Sequence, residues 1–579
     1  MKNFKFTLSL FVCMSLGFLA TQTAKAQLTE GVFPAAGSPS NPEVAASWNQ
    51  YYNYQGISDL TKKLADAHPD LVKRTSIGKS FEGRDIWLLT VSNSKERNPD
   101  RKPAIYIDGN IHSNEIQGTE MAMYTAWYLA EMFDSNDFIN QLLDEKTFYI
   151  VPTINPDARE NFFAEPNTAS SPRSGMKPID NDGDGKVNED KMDDLNGDGS
   201  ITMMRRKNPR GLYRSHPKYP ELMERVASDE FGEYELLGQE GLDNDGDGRI
   251  NEDGEGFYDP NRDWGWNWQP DYIQRGAHKY PFSLPENRAV FDFVMSRPNI
   301  AAAQSYHNSG GMILRGPGAE EDRDTYNRQD VQVYDAIGEM GERIIPGYRY
   351  LVVYDDLYTV FGGELDWFYG IRGVFTFSNE LWSSFDMFNS NERSRSDSYE
   401  FDRYLLFNDA LVEWEPFDHP QFGAIEIGGL KKNFGRTHPG FLLEQAAHRN
   451  MAFTIYHAYH TPNIVIDEIS EKNLGGGLRE VTAVITNTRM IPTHASQDLK
   501  YNIMRPNYIS IEGTNVEAGM IVNNRSMNQT TEQKNNPDKI AVSNIPGMGS
   551  VTVRWIISSG NNYTVTVDSE KGGVVSKRK

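Results

Sequence analysis

Ala104-Ile105-Tyr106-Ile107-Asp108-Gly109-Asn110-Ile111-His112-Ser113-Asn114-Glu115 is the stretch on which the fold turns. Ala104 to Asp108 is a continuous, largely apolar run of strand length, of the kind found in a sheet covered on both faces. A turn follows it, and ligands in α/β sheets gather at the carboxyl ends of strands. His112 and Glu115, three residues apart on that turn, can face one cation with an imidazole nitrogen and a carboxylate oxygen. Taken alone, the same pattern also describes an ordinary surface turn.

The flanking chain continues the alternation. Ile57, Leu60 and Leu64 recur at helical spacing until His68-Pro69 ends the run. Ile86 to Val91 and Phe148 to Val151 are further strand-length apolar runs, and Glu120 to Phe133 reads as a helix. Strands alternating with helices predict an α/β domain on a mixed, largely parallel sheet flanked by helices. Between about 167 and 258 the pattern gives way to Asp, Asn and Gly, with Asp-x-Asp/Asn-Gly-Asp-Gly pieces starting at Asp180, Asp194 and Asp243. Their spacing is uneven, so they read as insertions in a loop region and not as a solenoid repeat. From about 461 helical periodicity disappears, and Val481 to Ile485, Val551 to Ile557 and Tyr563 to Val567 are separated by Gly and Asn turns. These predict a small C-terminal β-sandwich. The expected organisation is a main domain over 27–460 and a β-sandwich-like module over 461–579, with Lys577-Arg578-Lys579 as a frayed basic end.

A chain of 579 residues exceeds one ordinary domain. Met1 to Ala26 carries Lys2 and Lys5, the apolar run Phe6 to Ala20 and the small-residue ending Ala24-Lys25-Ala26, and reads as a cleaved secretory signal. That run is shorter than the roughly 20 residues a spanning helix needs. The expectation is an exported protein, periplasmic or extracellular, without a membrane span. The single cysteine, Cys13, lies in this segment, so disulfides, cysteine zinc sites and a thiol nucleophile are excluded from the mature chain. The formal net charge of −23 argues against a nucleic-acid partner and suits solubility or calcium.

A catalytic zinc needs a third protein ligand and an open position. The candidate is His307 in Ala303-Gln304-Ser305-Tyr306-His307, after the strand-like run Ile300 to Ala303. Further on, Tyr358-Thr359-Val360-Phe361-Gly362-Gly363-Glu364-Leu365-Asp366-Trp367 leads to Glu380 in Phe375-Thr376-Phe377-Ser378-Asn379-Glu380-Leu381. In order, the chain shows His112-x-x-Glu115, Asn155-Pro156-Asp157, Asn261-Arg262, a strand-end His307, Tyr358 to Trp367 and Glu380-Leu381. This assembly resembles the zinc carboxypeptidases of the pancreatic carboxypeptidase A type, over about Ser47 to Trp414.

The resemblance implies a metallocarboxypeptidase acting on peptide or protein C-termini. It implies His112, Glu115 and His307 as zinc ligands, and Glu380 as the base that takes a proton from zinc-bound water. Asn261 and Arg262 match the pair that grips the substrate's terminal carboxylate, for which a guanidinium is the natural bidentate partner. Asp259 matches the carboxylate that orients a ligand histidine, and Tyr358 the tyrosine that closes over substrate. Leu365 matches the residue at the base of the pocket for the terminal side chain, where an apolar group favours apolar or aromatic ends. A one-residue shift would turn Glu364 inward instead and favour basic ends. The family's further arginine, which stabilises the oxyanion, is expected in Met203-Met204-Arg205-Arg206-Lys207, as Arg205 in preference to Arg206. The chain departs from the pattern at Ala158, where the family commonly has Gly, and in its Asp-rich insertions. The segment between Ala26 and the first helix is too short for the globular prosegment of the digestive enzymes, so activity is expected not to depend on removing one.

Alternating Asp or Asn oxygens followed by Gly form the leading half of a calcium loop. Candidate ligands of a structural calcium are Asp180, Asp182 and Asp184; Asp194, Asn196 and Asp198; and Asp243, Asp245 and Asp247. The twelfth positions would be Lys191, Arg205 and Gly254, so none supplies the closing glutamate of an EF-hand. Two other readings compete with the peptidase. A catalytically silent binding protein is disfavoured by the presence of all three ligands and Glu380. A hydrolase of peptidoglycan stems or other amides would use the same site, while the Asn261-Arg262 pair favours a free terminal carboxylate.

Overall fold

Eight strands build the central sheet of the computed structural model, which describes residues 35–560 and 562–579. The secretory signal read at 1–26, with Cys13, lies outside the described residues. The strands are β1 (Val72–Lys79), β2 (Asp85–Val91), β3 (Ala104–Gly109), β4 (Thr147–Val151), β5 (Ile300–Asn308), β6 (Met312–Arg315), β7 (Arg349–Val352) and β8 (Phe375–Leu381). Their spatial order is β1-β2-β4-β3-β5-β8-β6-β7. The central pairs β4 with β3, β3 with β5 and β5 with β8 are parallel, while β1 with β2, β2 with β4 and β8 with β6 are antiparallel. The sheet is mixed with a parallel centre, as the alternation of strands and helices predicts.

Every residue of β3, β4 and β5 is buried, because helices cover both faces. Successive side chains of a strand point to opposite faces. Ile105 and Ile107 therefore join a core with the helices Tyr54–Ala67, Gln117–Met132, Arg328–Ile344 and Gly440–Tyr459, while Ala104 and Tyr106 join one with Pro285–Met295 and Glu364–Arg372. The first helix buries Ile57, Leu60 and Leu64, the residues whose spacing announced it. At the end of β3 the helix Gln117–Met132 comes very close. A Cβ on Gly109 would stand 2.6 Å from the carbonyl carbon of Gly118, so this contact admits only glycine.

The Asp-rich insertion is not loop alone. Met203–Lys207, Tyr213–Ser215, Met223–Arg225 and Tyr234–Gln239 join Leu411–His419 and Gly423–Leu430 in a six-stranded sheet. The pairing of Met203–Lys207 with Gly423–Leu430 spans some two hundred residues of chain, and no local pattern within the insertion announces such a partner. Beyond Tyr459 a five-stranded and a four-stranded sheet face each other across a common core that includes Ile466, Val481, Ile509, Trp555 and Val567. This is the expected β-sandwich. Its end is not frayed: Lys577 lies in the strand Gly573–Arg578 and donates to the carbonyls of Ile466 and Asp467, and Lys579 donates to that of Ile469. The lysine tails reach backbone acceptors across the sandwich, a long-range contact that a basic tripeptide does not reveal. Among the described residues no helix is long and apolar enough to cross a membrane.

Candidate active site

After β3 the backbone turns left-handed at Asn110 (φ 59°), a conformation asparagine tolerates. Its side-chain amide donates to the carbonyls of His112 and Ser113 at 2.8 and 2.9 Å, which bends His112 and Glu115 back over the strand ends. His307 sits near the end of β5, and Glu380 on β8 is its register partner. The four side chains thus come from three adjacent strand ends, where open sheets collect their chemistry.

Nδ1 of His112, Nδ1 of His307 and Oε2 of Glu115 stand 3.1 to 3.2 Å from one another. Tetrahedral zinc with bonds of about 2.0–2.1 Å has ligand-to-ligand edges of about 3.3 Å. The triangle fits that size, and two imidazoles with one carboxylate, all buried, are a donor set zinc accepts. His112 Nε2 lies 2.8 Å from Oδ1 of Asp259, which leaves Nδ1 as the ligand atom and fixes the ring. Burial alone would raise Glu115, but His112 and Arg173 outweigh it and hold the carboxyl well below the ordinary carboxylate range. Asp259 is likewise held well below its ordinary value, with Arg262 and His112 overcoming burial.

Glu380 is different. Burial first, then the charge of Glu115, push it up to about 7, against the opposing pull of His307, Arg173 and Arg436. The same cavity is walled by Asn261, Arg262 and Tyr358. Asn261 and Arg262 lie in the short turn Pro260–Arg262, where the Asp259 carboxylate accepts from the Asn261 N–H at 2.8 Å. Arg262 is steadied by the Asn261 carbonyl at 2.7 Å. Tyr358 follows the turn Val353–Leu357 and is 59% exposed at the rim.

Arg205, expected at the site, does not line this cavity. Arg205 stacks between the rings of Tyr234 and Trp414, at 4.0 and 4.2 Å, and bonds Glu426 at 2.7 Å in the six-stranded sheet, while Arg206 pairs with Glu235. Arg173 stands at the ligand triangle instead. It donates to Oε1 of Glu115 at 2.6 Å, lies 3.6 Å from Asp259 and lines the cavity with His112 and Glu380. Nothing in Ser171-Pro172-Arg173-Ser174 distinguishes this arginine by spacing; only the turn that brings it to Glu115 does.

Leu365 and Glu364 open the helix Glu364–Arg372 and both line the cavity. Leu365 is half-buried, whereas Glu364 is buried, with Ser305 Oγ 3.1 Å away and 2.7 Å from Asp108. The carboxyls of Glu364 and Asp108 face each other, and burial, with Asp108 adding to it, raises Glu364 well above its ordinary value.

The Asp-rich pieces cluster away from this cavity. The carboxylates of Asp180, Asp182 and Asp184 gather together, and those of Asp182, Asp245 and Asp247 do the same. In the middle piece the Asp194 carboxylate accepts from the N–H groups of Gly197 and Gly199, and Asn196 and Asp198 accept from the backbone beside them.

The family model of the zinc carboxypeptidases, Peptidase_M14, matches residues 57–184 and 201–398, more than half of the chain. A domain of unknown function, DUF8731, matches 463–579. Human carboxypeptidase D is 32% identical over 121 residues, 21% of this chain and 9% of that protein. A zinc carboxypeptidase of Saccharothrix mutabilis subsp. capreolus is 30% identical over 128 residues, 22% of this chain and 28% of the relative. The matched stretches span less than a third of either relative. Among solved structures, the carboxypeptidase A from Helicoverpa armigera overlays with a TM-score of 0.41 at 18% identity, over 71% of this chain and 74% of that one. On the strength of a family match over more than half its length, the chain belongs to the zinc carboxypeptidases.

Proposed function

We propose that the protein is an exported zinc metallocarboxypeptidase that removes the C-terminal residue of peptides with a free terminal carboxylate. The observation that carries this reading is the triangle of His112, Glu115 and His307 facing Glu380 across a cavity that also holds Asn261, Arg262 and Arg173. Zinc, when bound, supplies a Lewis acid for the carbonyl and lowers the pKa of water. Arg262 and Asn261 take the terminal carboxylate and set the position of the scissile bond. Glu380 accepts a proton from the attacking water and returns it to the leaving amine. Arg173 takes the part expected of Arg205, supplying positive charge where the carbonyl oxygen becomes anionic. Tyr358 closes the rim over bound substrate, and Asp259 keeps His112 in register.

Leu365 favours apolar or aromatic terminal residues. A second specificity rests on Glu364, whose buried carboxyl lines the cavity beside Asp108 and would have to ionise to hold a terminal Lys or Arg. Release rates from otherwise identical peptides ending in Phe, Leu, Lys and Arg separate the two, and faster release of Lys or Arg assigns the pocket to Glu364. Export rests on the signal-like segment 1–26, and residues 461–579 are proposed as a separate accessory module. The decisive experiment combines metal analysis with blocked dipeptides, their amidated counterparts and peptidoglycan-stem peptides. One zinc per chain, activity lost on chelation and restored by zinc, and rejection of amides are expected. Full activity without zinc, or equal cleavage of free and amidated ends, defeats the reading.

A further inference from the structure

Two of the three Asp-rich pieces are longer repeats than their first six residues suggest. Asp180-Asn181-Asp182-Gly183-Asp184-Gly185-Lys186-Val187-Asn188-Glu189-Asp190 and Asp243-Asn244-Asp245-Gly246-Asp247-Gly248-Arg249-Ile250-Asn251-Glu252-Asp253 differ only by Lys for Arg and Val for Ile. A calcium loop read for a glutamate at its twelfth position misses the acids these repeats carry at the tenth and eleventh. The middle piece, from Asp194, has Met203 and Met204 there.

The two repeats fold as a pair. Asp190 and Asp253 form an antiparallel bridge. Each reaches across: the Asn181 N–H donates to Oδ1 of Asp253 at 2.9 Å, and the Asn244 side chain donates to Oδ1 of Asp190 at 3.1 Å. The other oxygen of each aspartate, Oδ2, is buried without a hydrogen-bond partner, in side chains of residues only 0% and 1% exposed. Asp253 brings a ligand atom together with those of Asp182 and Glu189, so it is aimed into the loop of the opposite repeat. Glu252 stands correspondingly against Asp190 and Asp247. Glu189 and Glu252 face other carboxylates, Asp253 and Asp184 for the first and Asp190 for the second, and no N–H or O–H donor meets their oxygens. Buried carboxylates left in this condition are costly unless a cation meets them.

We propose that these repeats form one composite site for two calcium ions, each ion held by the leading aspartates and tenth-position glutamate of one repeat and by the buried eleventh-position aspartate of the other. An all-oxygen set rich in carboxylates on flexible glycine turns is what calcium takes, whereas magnesium demands a tighter octahedron. The middle piece lacks these acids, and Glu240, which reaches its Leu195 N–H, also accepts from Thr202. The consequence is a cross-link: 63 residues separate equivalent positions, and the ions join the two ends of that excursion. The linked unit borders a cavity that Arg173 and Asp259 also line.

Calcium titration of the full-length, zinc-loaded chain by calorimetry tests this, with melting temperature as a second readout. Two calcium ions per chain and a higher melting temperature are expected, with Asp194→Asn unchanged. Asp180→Ala should remove one ion. In that background Asp253→Asn should change nothing further, because it belongs to the site already lost, whereas Asp190→Asn should weaken the remaining ion ~10-fold or more. Circular dichroism confirms that each variant is folded. No calcium uptake at millimolar concentration, magnesium uptake as tight as calcium, or a background in which Asp253→Asn and not Asp190→Asn removes the second ion overturns the composite arrangement. Zinc content and peptidase activity are measured in parallel, so failure here is distinguishable from failure of the zinc reading.

Discussion

The part proposed for Glu380 depends on its surroundings. Buried beside Glu115, it is pushed up to about 7, and a bound cation pulls the same carboxyl downward. Since only the ionised form accepts a proton, kcat/KM should fall as pH drops through a midpoint at or below about 7, and a profile flat from pH 4 to 8 would exclude Glu380 as the base. Glu380→Gln should keep zinc and lose ~100-fold or more in kcat; zinc analysis beside turnover checks both halves. Arg173 invites a separate prediction. Arg173→Ala should lower kcat by ~100-fold, while Arg205→Ala should leave kcat near wild type and act on stability through its lost stacking. The reverse ranking would return the oxyanion role to the six-stranded sheet.

The turns around the ligand triangle work as a clamp. Asn155 caps the helix Pro156–Ala164, accepting from the Ala158 N–H at 3.4 Å. Its amide nitrogen also donates to the carbonyls of Ile111 and Ser174, at 3.3 and 3.1 Å. The Asn-Pro-Asp element therefore ties the segment bearing His112 to the segment bearing Arg173. Asn155→Ala should weaken zinc binding ~10-fold or more, since it releases a support of the loop bearing His112, and should leave the Ile111 carbonyl short of a donor, while Ser113 Oγ still serves that of Ser174. Competition with a chromogenic zinc chelator reads the first effect, and unchanged affinity would show that Asn110 alone holds the loop.

On the scale of the molecule, the β-sandwich is joined to the main domain by buried polar groups. Lys571 is 2% exposed, donates to the carbonyls of Arg372 and Gly373 at 2.8 Å and lies 3.1 Å from the buried Asp498. Lys146 donates from the central domain to the carbonyls of Thr461 and Pro462. Removing one member of a buried pair leaves the other charge uncompensated, so Lys571→Ala should destabilise by about 3 kcal/mol or more. Chemical denaturation measures this, and kinetics of the folded variant should stay near wild type because the change lies outside the cavity. A variant as stable as wild type would mean that water satisfies Asp498 when the lysine is absent.

What the amino-acid order determined by itself was whatever repeats over a few residues or recurs as an ordered motif. The periods of Ile57, Leu60 and Leu64 and the apolar run Ala104 to Asp108 were enough for the α/β class, because burial on one helix face or both sheet faces writes a local pattern. That His112, Glu115, His307 and Glu380 would meet was legible because the proposed chemistry of a metal and a base admits few residue types, and their order along the chain follows the strand ends. Tertiary structure alone put Arg173 in the cavity and Arg205 outside it, since an arginine beside a carboxylate looks the same in sequence whether the pair lies in a cavity or, like Arg205 with Glu426, in a sheet. It alone turned the insertion into strands paired with Gly423–Leu430. It also aimed Asp253 at a loop more than sixty residues earlier, because contacts between distant segments depend on which surfaces meet once the chain has folded.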